Sequence, residues 1–136
     1  MMNSNQLDKL HEFDFWSMIN SLKWGDKTTQ CIAARRHVMK NFPPYKVNAF
    51  RRIADGYAEK LMEVYENTLK PVFSYTEIYN GAMEVVGFGK TEVERYMKDP
   101  ILLSGVIEGT IEKEEEEKFA YALPLEDDYF DEQAIV

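Results

Sequence analysis

The stretch that follows Pro43-Pro44 constrains this chain most. Val47, Phe50, Ile53, Ala54, Tyr57, Leu61, Val64 and Tyr65 recur at steps of one, three and four residues, with polar residues between them. That spacing gathers the apolar side chains on one stripe of an α-helix, where a strand would need alternation. Pro44 suits the first helical turn, because the N–H it lacks would have no partner there. The pattern predicts a helix from Pro44 to about Leu69, ended by Pro71. Gly56 inside it is expected to mark a close helix contact. A helix this long with a single apolar stripe needs other elements to cover that stripe.

The rest of the chain supplies them. Leu7, Leu10, Phe13, Phe15, Trp16, Met18, Ile19 and Leu22 predict a helix over 7–23, stopped by Gly25, with Asp26 capping the next. Residues 27–41 continue at helical spacing up to Asn41. Ser74-Tyr75-Thr76-Glu77 reads as a capping box, in which each side chain satisfies a backbone N–H at a helix start. That helix is expected to reach Val86, with Gly87-Phe88-Gly89 as a turn. Thr91 and Asp99 are expected to be further N-caps, and Gly109 to close the segment that follows Asp99-Pro100. Residues 111–122 are expected to be helical. No alternating Val/Ile/Thr run demands a strand. The reading is a mainly α, single-domain bundle of six or seven helices spanning 1–123, with an acidic tail at 124–136.

Composition sets the outer limits. At 136 residues, folding buries roughly 68–70% of the unfolded chain's surface, enough for a core without disulfides or metals. One cysteine excludes a disulfide framework within the chain and any multi-cysteine metal site, and two histidines leave little for zinc. No apolar run approaches the ~20 residues of a membrane span, and no signal peptide opens the chain, so a cytoplasmic location is expected.

The net charge of −8 is uneven. Residues 1–110 are balanced, whereas 111–136 carry ten acidic residues against Lys113 and Lys118. Such asymmetry suggests an acidic surface acting on a basic partner, against the plainer reading of a solvated face.

The landmarks Phe15-Trp16-x-x-Ile19, Phe50-x-x-Ile53-x-x-x-Tyr57, Glu92 to Met97, Asp99-Pro100-x-Leu102 and a late acidic stretch leading into Phe119-x-Tyr121 occur in that order. The order resembles the bacterial family called domain of unknown function 4240, over about residues 13–122. The family's Gly- and Asp-rich segment before its late helix is longer than the Tyr79 to Gly87 stretch here. The resemblance implies an all-helical fold and carries no chemistry across.

Constellations of reactive residue types favour plain readings. Gly87-Phe88-Gly89-Lys90-Thr91 lacks the first glycine and the preceding strand of a phosphate-binding loop. Cys31 and His37, six apart, do not share a helix face, so Cys31 is expected to be a buried structural residue. His11 is expected at the surface. Glu92, Glu94 and Asp99, and Asp55, Glu59 and Glu63, offer grouped carboxylates; only the second set shares a helix face, and no histidines on facing helices complete a di-metal site. Arg35, Arg36, Lys40, Lys46, Arg51 and Arg52 cluster around the proline turn. They can bind phosphates, or receive the acidic end of this chain or of a second copy. A pI near 4.8 disfavours nucleic acid. Trp16 and Trp24 are expected in or at the edge of the core, with an exposed interface anchor as the rival reading for Trp24.

No catalytic, cofactor or metal residue is assigned. The leading expectation is a non-catalytic acidic protein-binding module that masks or inhibits a partner with a basic surface, of the immunity-protein or phage-inhibitor type. A mimic of nucleic-acid charge is a sub-case. Its partner-binding residues are Glu114, Glu115, Glu116, Glu117, Phe119, Tyr121, Glu126, Asp127, Asp128, Tyr129, Phe130, Asp131 and Glu132. Carboxylates would speed encounter and aromatics would anchor it. The alternatives are a hydrolase or transferase with an unrecognised site, and a scaffold that oligomerises through its Trp-bearing face.

Overall fold

The computed structural model describes residues 9–24, 30–70, 72–125 and 127–129. Among them six α-helices are described from end to end: α1 Glu12–Leu22, α2 Cys31–Asn41, α3 Pro44–Thr68, α4 Tyr75–Phe88, α5 Lys90–Lys98 and α6 Leu103–Ile111; residues 9–10 and 127–129 are α-helical as well. Short 3₁₀ turns cover Pro100–Leu102, Glu115–Glu117 and Phe119–Tyr121. The described residues contain no strand, and the expected single-domain α bundle is what the chain forms. No described helix is long and apolar enough to cross a membrane.

The long helix α3 starts at Pro44 as its stripe requires and buries Val47, Phe50, Ile53, Ala54, Leu61 and Tyr65. Helix α1 lays Phe15 and Trp16 against it. The Phe15 and Phe50 rings are 5.9 Å apart between centroids, and those of Trp16 and Tyr57 are 5.1 Å apart edge to face. Phe15, Trp16, Ile19, Phe50, Ile53 and Leu61 are buried as expected, while Tyr57 is half-buried and its hydroxyl donates to Glu12. Pro71, the expected helix breaker, and Gly25 and Asp26, the expected stop and cap, lie outside the described residues. Lys23, at φ 49°, ends α1 in the left-handed region. Helix α2 begins at Cys31 rather than at residue 27, because Gln30 is extended.

Helix α4 is the centre of the bundle. It packs on α1, α3, α5, α6 and the last 3₁₀ turn, and every residue from Asn80 to Gly87 is buried. Its start is the capping box read from sequence: Ser74 Oγ accepts from the Glu77 amide at 3.2 Å, and Glu77 Oε1 accepts from the Ser74 amide at 2.8 Å. Its two glycines permit close approach. A Cβ on Gly81 would lie 2.6 Å from Ile107 Cγ1 of α6, and one on Gly87 would lie 2.8 Å from the Phe119 ring. Gly56 has no such neighbour, so the tight helix contacts fall on α4 instead of α3.

Five boundary expectations are corrected. Gly87 and Phe88 continue α4, and the break comes at Gly89, whose φ of 114° favours glycine. Gly89 is also the N-cap of α5, which places Thr91 inside the helix. Asp99 precedes a 3₁₀ turn and makes no side-chain cap bond. Helix α6 passes Gly109 and ends at Ile111, after which 111–122 is not a helix but a segment with two 3₁₀ turns. The segment is instead held by contacts with distant residues: Lys113 and the Phe119 amide bond Glu84, the Lys118 carbonyl bonds Cys31, and the Tyr121 carbonyl bonds Arg35.

Candidate functional site

The segment after α6 is held against the bundle by a buried carboxylate. Glu84, on α4, is 1% exposed. Its Oε2 accepts from the Trp24 indole Nε1 at 2.9 Å and from the Phe119 backbone N–H at 2.6 Å, and its Oε1 accepts from the Lys113 ammonium. A carboxylate this deep is tolerated only when paired and fully hydrogen-bonded, as here. Two further contacts tie the segment to α2. The Cys31 thiol donates to the Lys118 carbonyl at 3.0 Å, and Arg35 Nε donates to the Tyr121 carbonyl at 2.8 Å. Burial pushes the Cys31 thiol up to about 11, so it stays protonated and serves as a donor. Further along, Tyr129 OH donates to the Phe42 carbonyl at 2.8 Å. Its burial raises the phenol's pKa above the ordinary value.

These anchors fix an acidic turn at the surface. Glu114, Glu115, Glu116 and Glu117 are all exposed. Glu114 and Glu117 close the turn through a reciprocal capping box, which leaves Glu115 and Glu116 to face outward. Lys113, one of two cations in the last fifth of the chain, is spent on Glu84 and does not neutralise the turn. Arg35 and Tyr121 share a shallow concavity with Glu114, Glu115 and Glu116.

The remaining expected partner-facing residues divide. Phe119 is a correction: it is completely buried, stacked edge to face on Trp24 at 5.3 Å, and it belongs to the core. Tyr121 is exposed, Asp127 is exposed, and Asp128 and Tyr129 are half-buried. Asp128 Oδ2 accepts from the Leu125 amide at 2.7 Å. Glu126, Phe130, Asp131 and Glu132 lie outside the described residues. Trp24, at 5% exposed, is no surface anchor, and Trp16 is buried as well.

On the other side of Arg35 and Tyr121 lies a groove of about 710 Å³ between α2, α3, α4 and the C-terminal segment. The basic stretch around the proline turn divides here. Lys46 pairs with Asp14 at 2.5 Å, whereas Arg35, Arg51 and Arg52 converge on the groove. Arg51 Nη2 donates to Asn48 Oδ1 at 2.8 Å, and its Nε is buried with no hydrogen-bond partner. Asp55 also lines the groove and accepts from the Tyr79 hydroxyl; burial, and then this bond, hold that phenol's pKa well above its ordinary value.

Among the described residues no three His, Cys, Asp or Glu side chains are placed to hold a metal. Cys31 Sγ bonds the Lys118 carbonyl, and His37 meets Ser21 Oγ at 3.1 Å. Sequence reasoning missed Glu84. The available signal was a lone carboxylate within Ala82-Met83-Glu84-Val85-Val86, where no helix face is left for solvent. No family model, curated protein or solved structure matches this chain.

Proposed function

We propose that this chain is a non-catalytic protein-binding module whose acidic turn at Glu114–Glu117 engages and masks a basic surface on a partner protein. The observation that supports the reading is the fixed presentation of Glu115 and Glu116. They stand on a turn pinned from beneath by Glu84, Cys31 and Arg35, while Lys113, one of the two lysines that flank it, is turned inward. Clustered carboxylates repel, and a cationic partner relieves that repulsion; a pinned turn loses little further entropy on binding. Exposed Tyr121 beside the turn supplies an aromatic contact.

Affinity capture from an extract of the source cell tests the proposal, with the wild-type chain and a Glu115→Lys/Glu116→Lys variant as parallel baits. Neither side chain caps the turn, so the variant is expected to fold. A partner with a basic surface, held by the wild type and lost by the variant, is the expected result. Equal capture by both baits would overturn it.

A further inference from the structure

We propose that the cleft between the start of α4 and the end of α6 binds a small free α-amino acid, with its ammonium on Glu77, its carboxylate on Lys118 and the Asn80 amide beneath it. The cleft is separate from the acidic turn, and its occupant does not depend on the turn's function.

Asn80 is the residue that points to a ligand. It lies on α4 and is 8% exposed, yet among the described residues its side chain makes no hydrogen bond. A primary amide carries two donors and an acceptor, and burying it without partners is costly. The amide is not sealed in. Among the described residues, the unpartnered side-chain atoms cut off from solvent are Trp16 Nε1 and Arg51 Nε, and no atom of Asn80 is with them. Asn80 lines the cleft, so a molecule seated there reaches it.

Two opposite charges share the same lining. Glu77 and Lys118 both border the cleft, and among the described residues they form no ion pair, either with each other or with another side chain. Both are held in place. Glu77 Oε1 accepts from the Ser74 amide at 2.8 Å, which uses one of its two oxygens. Lys118 is rooted through its main chain: its carbonyl accepts from the Cys31 thiol at 3.0 Å, and its N–H donates to the Glu115 carbonyl at 3.0 Å. A simple anion in this cleft meets Glu77, and a simple cation meets Lys118. A molecule with both charges a few bonds apart satisfies each of them, and partners already fixed lose little entropy in binding it.

The cleft has a volume of about 220 Å³, below the roughly 300–1,000 Å³ of drug-sized sites. That size favours an amino acid with a short side chain. Thr110 and Ile111 close the α6 side. Thr110 Oγ1 donates to the Val106 carbonyl at 2.7 Å, and the hydroxyl oxygen keeps acceptor capacity for an ammonium.

Isothermal titration of the full chain with glycine, L-alanine and L-serine tests this, with acetate and methylammonium as single-charge controls. Lys118→Gln and Asn80→Leu are titrated in parallel, with their melting temperatures recorded. The expected result is saturable one-to-one binding of at least one of the three amino acids, with both controls at least tenfold weaker. Each variant is expected to lose at least tenfold in affinity while remaining folded, because neither side chain bonds another in the fold. NMR of the wild type gives a reading that needs no variant: the Asn80 side-chain amide resonances are expected to shift along the same isotherm. Any one of four results would overturn the proposal: no saturable binding of the three amino acids, so that the cleft holds water alone; acetate or methylammonium binding as tightly as they do; an unchanged affinity in either folded variant; or unmoved Asn80 amide resonances at saturation.

Discussion

Trp24 and Glu84 are 60 residues apart in the chain, and the indole Nε1 of one donates to the buried carboxylate of the other at 2.9 Å. The same carboxylate takes the Phe119 amide, so the residue just after α1, the middle of α4 and the C-terminal segment meet on a single side chain. Replacing Glu84 with Leu leaves two buried donors unpaired. At about 1–3 kcal/mol for each orphaned group, a total loss of about 2–6 kcal/mol is expected. Trp24→Phe removes one donor and should cost less. Urea unfolding midpoints of the two variants check the order.

The contact of α4 with α6 depends on Gly81. An alanine Cβ there would press on Ile107 at 2.6 Å from its Cγ1 and 3.1 Å from its Cα, and backbone cannot step aside cheaply. Gly81→Ala is expected to destabilise by about 1–3 kcal/mol. Gly105, on α6, has open space around its Cα, so Gly105→Ala is expected to stabilise by up to about 1 kcal/mol through helix propensity. Thermal melts of both variants separate crowding from propensity.

Ser74 and Thr91 have the same local pattern in sequence and different places in the fold. Ser74 caps α4 through a complete capping box, whereas Thr91 lies inside α5 behind Gly89. Ser74→Ala is expected to cost about 0.5–2 kcal/mol. Thr91→Ala is expected to be neutral or slightly stabilising, because alanine is the better helix former. Equal losses in equilibrium denaturation would contradict the assignment.

That pair also shows what could be read from the chain before its structure. The α3 stripe, the Pro44 start and the Ser74 box were legible because each depends on residues within one or two helical turns. The Thr91 box has the same letters, but Gly89 at positive φ starts the helix two residues earlier than a Thr91 cap allows. Residues 111–122 failed for a different reason. Their conformation is set by Glu84, Cys31 and Arg35, which lie at least 29 residues away from the main-chain and side-chain groups they bind. Local periodicity carries no information about such partners. The three groove arginines were visible as a basic cluster, but the separation of Lys46 from them by Asp14 was not.

Cys31 provides a pH signature. Burial raises its thiol from 9.0 to about 11 in the folded chain, so the folded state holds this proton more tightly than the unfolded one. The resulting stabilisation is complete below pH 9 and is lost as the pH rises from 9 toward 11. Cys31→Ala, which has no thiol to titrate, is expected to show a shallower decline in melting temperature over that interval than the wild type. Alkylation by iodoacetamide at pH 8 is expected to be slow in the native chain and fast in urea.

The most direct test of partner masking by the acidic turn is the association rate with the captured partner as a function of ionic strength. Carboxylates that steer a basic surface raise this rate at low salt, and screening removes the gain as the Debye length falls from about 30 Å at 0.01 M to about 10 Å at 0.1 M. The wild type is expected to associate at least tenfold faster at the lower salt, and Glu115→Lys/Glu116→Lys to lose most of that dependence while keeping its melting temperature. Identical salt slopes for the two chains would contradict the account.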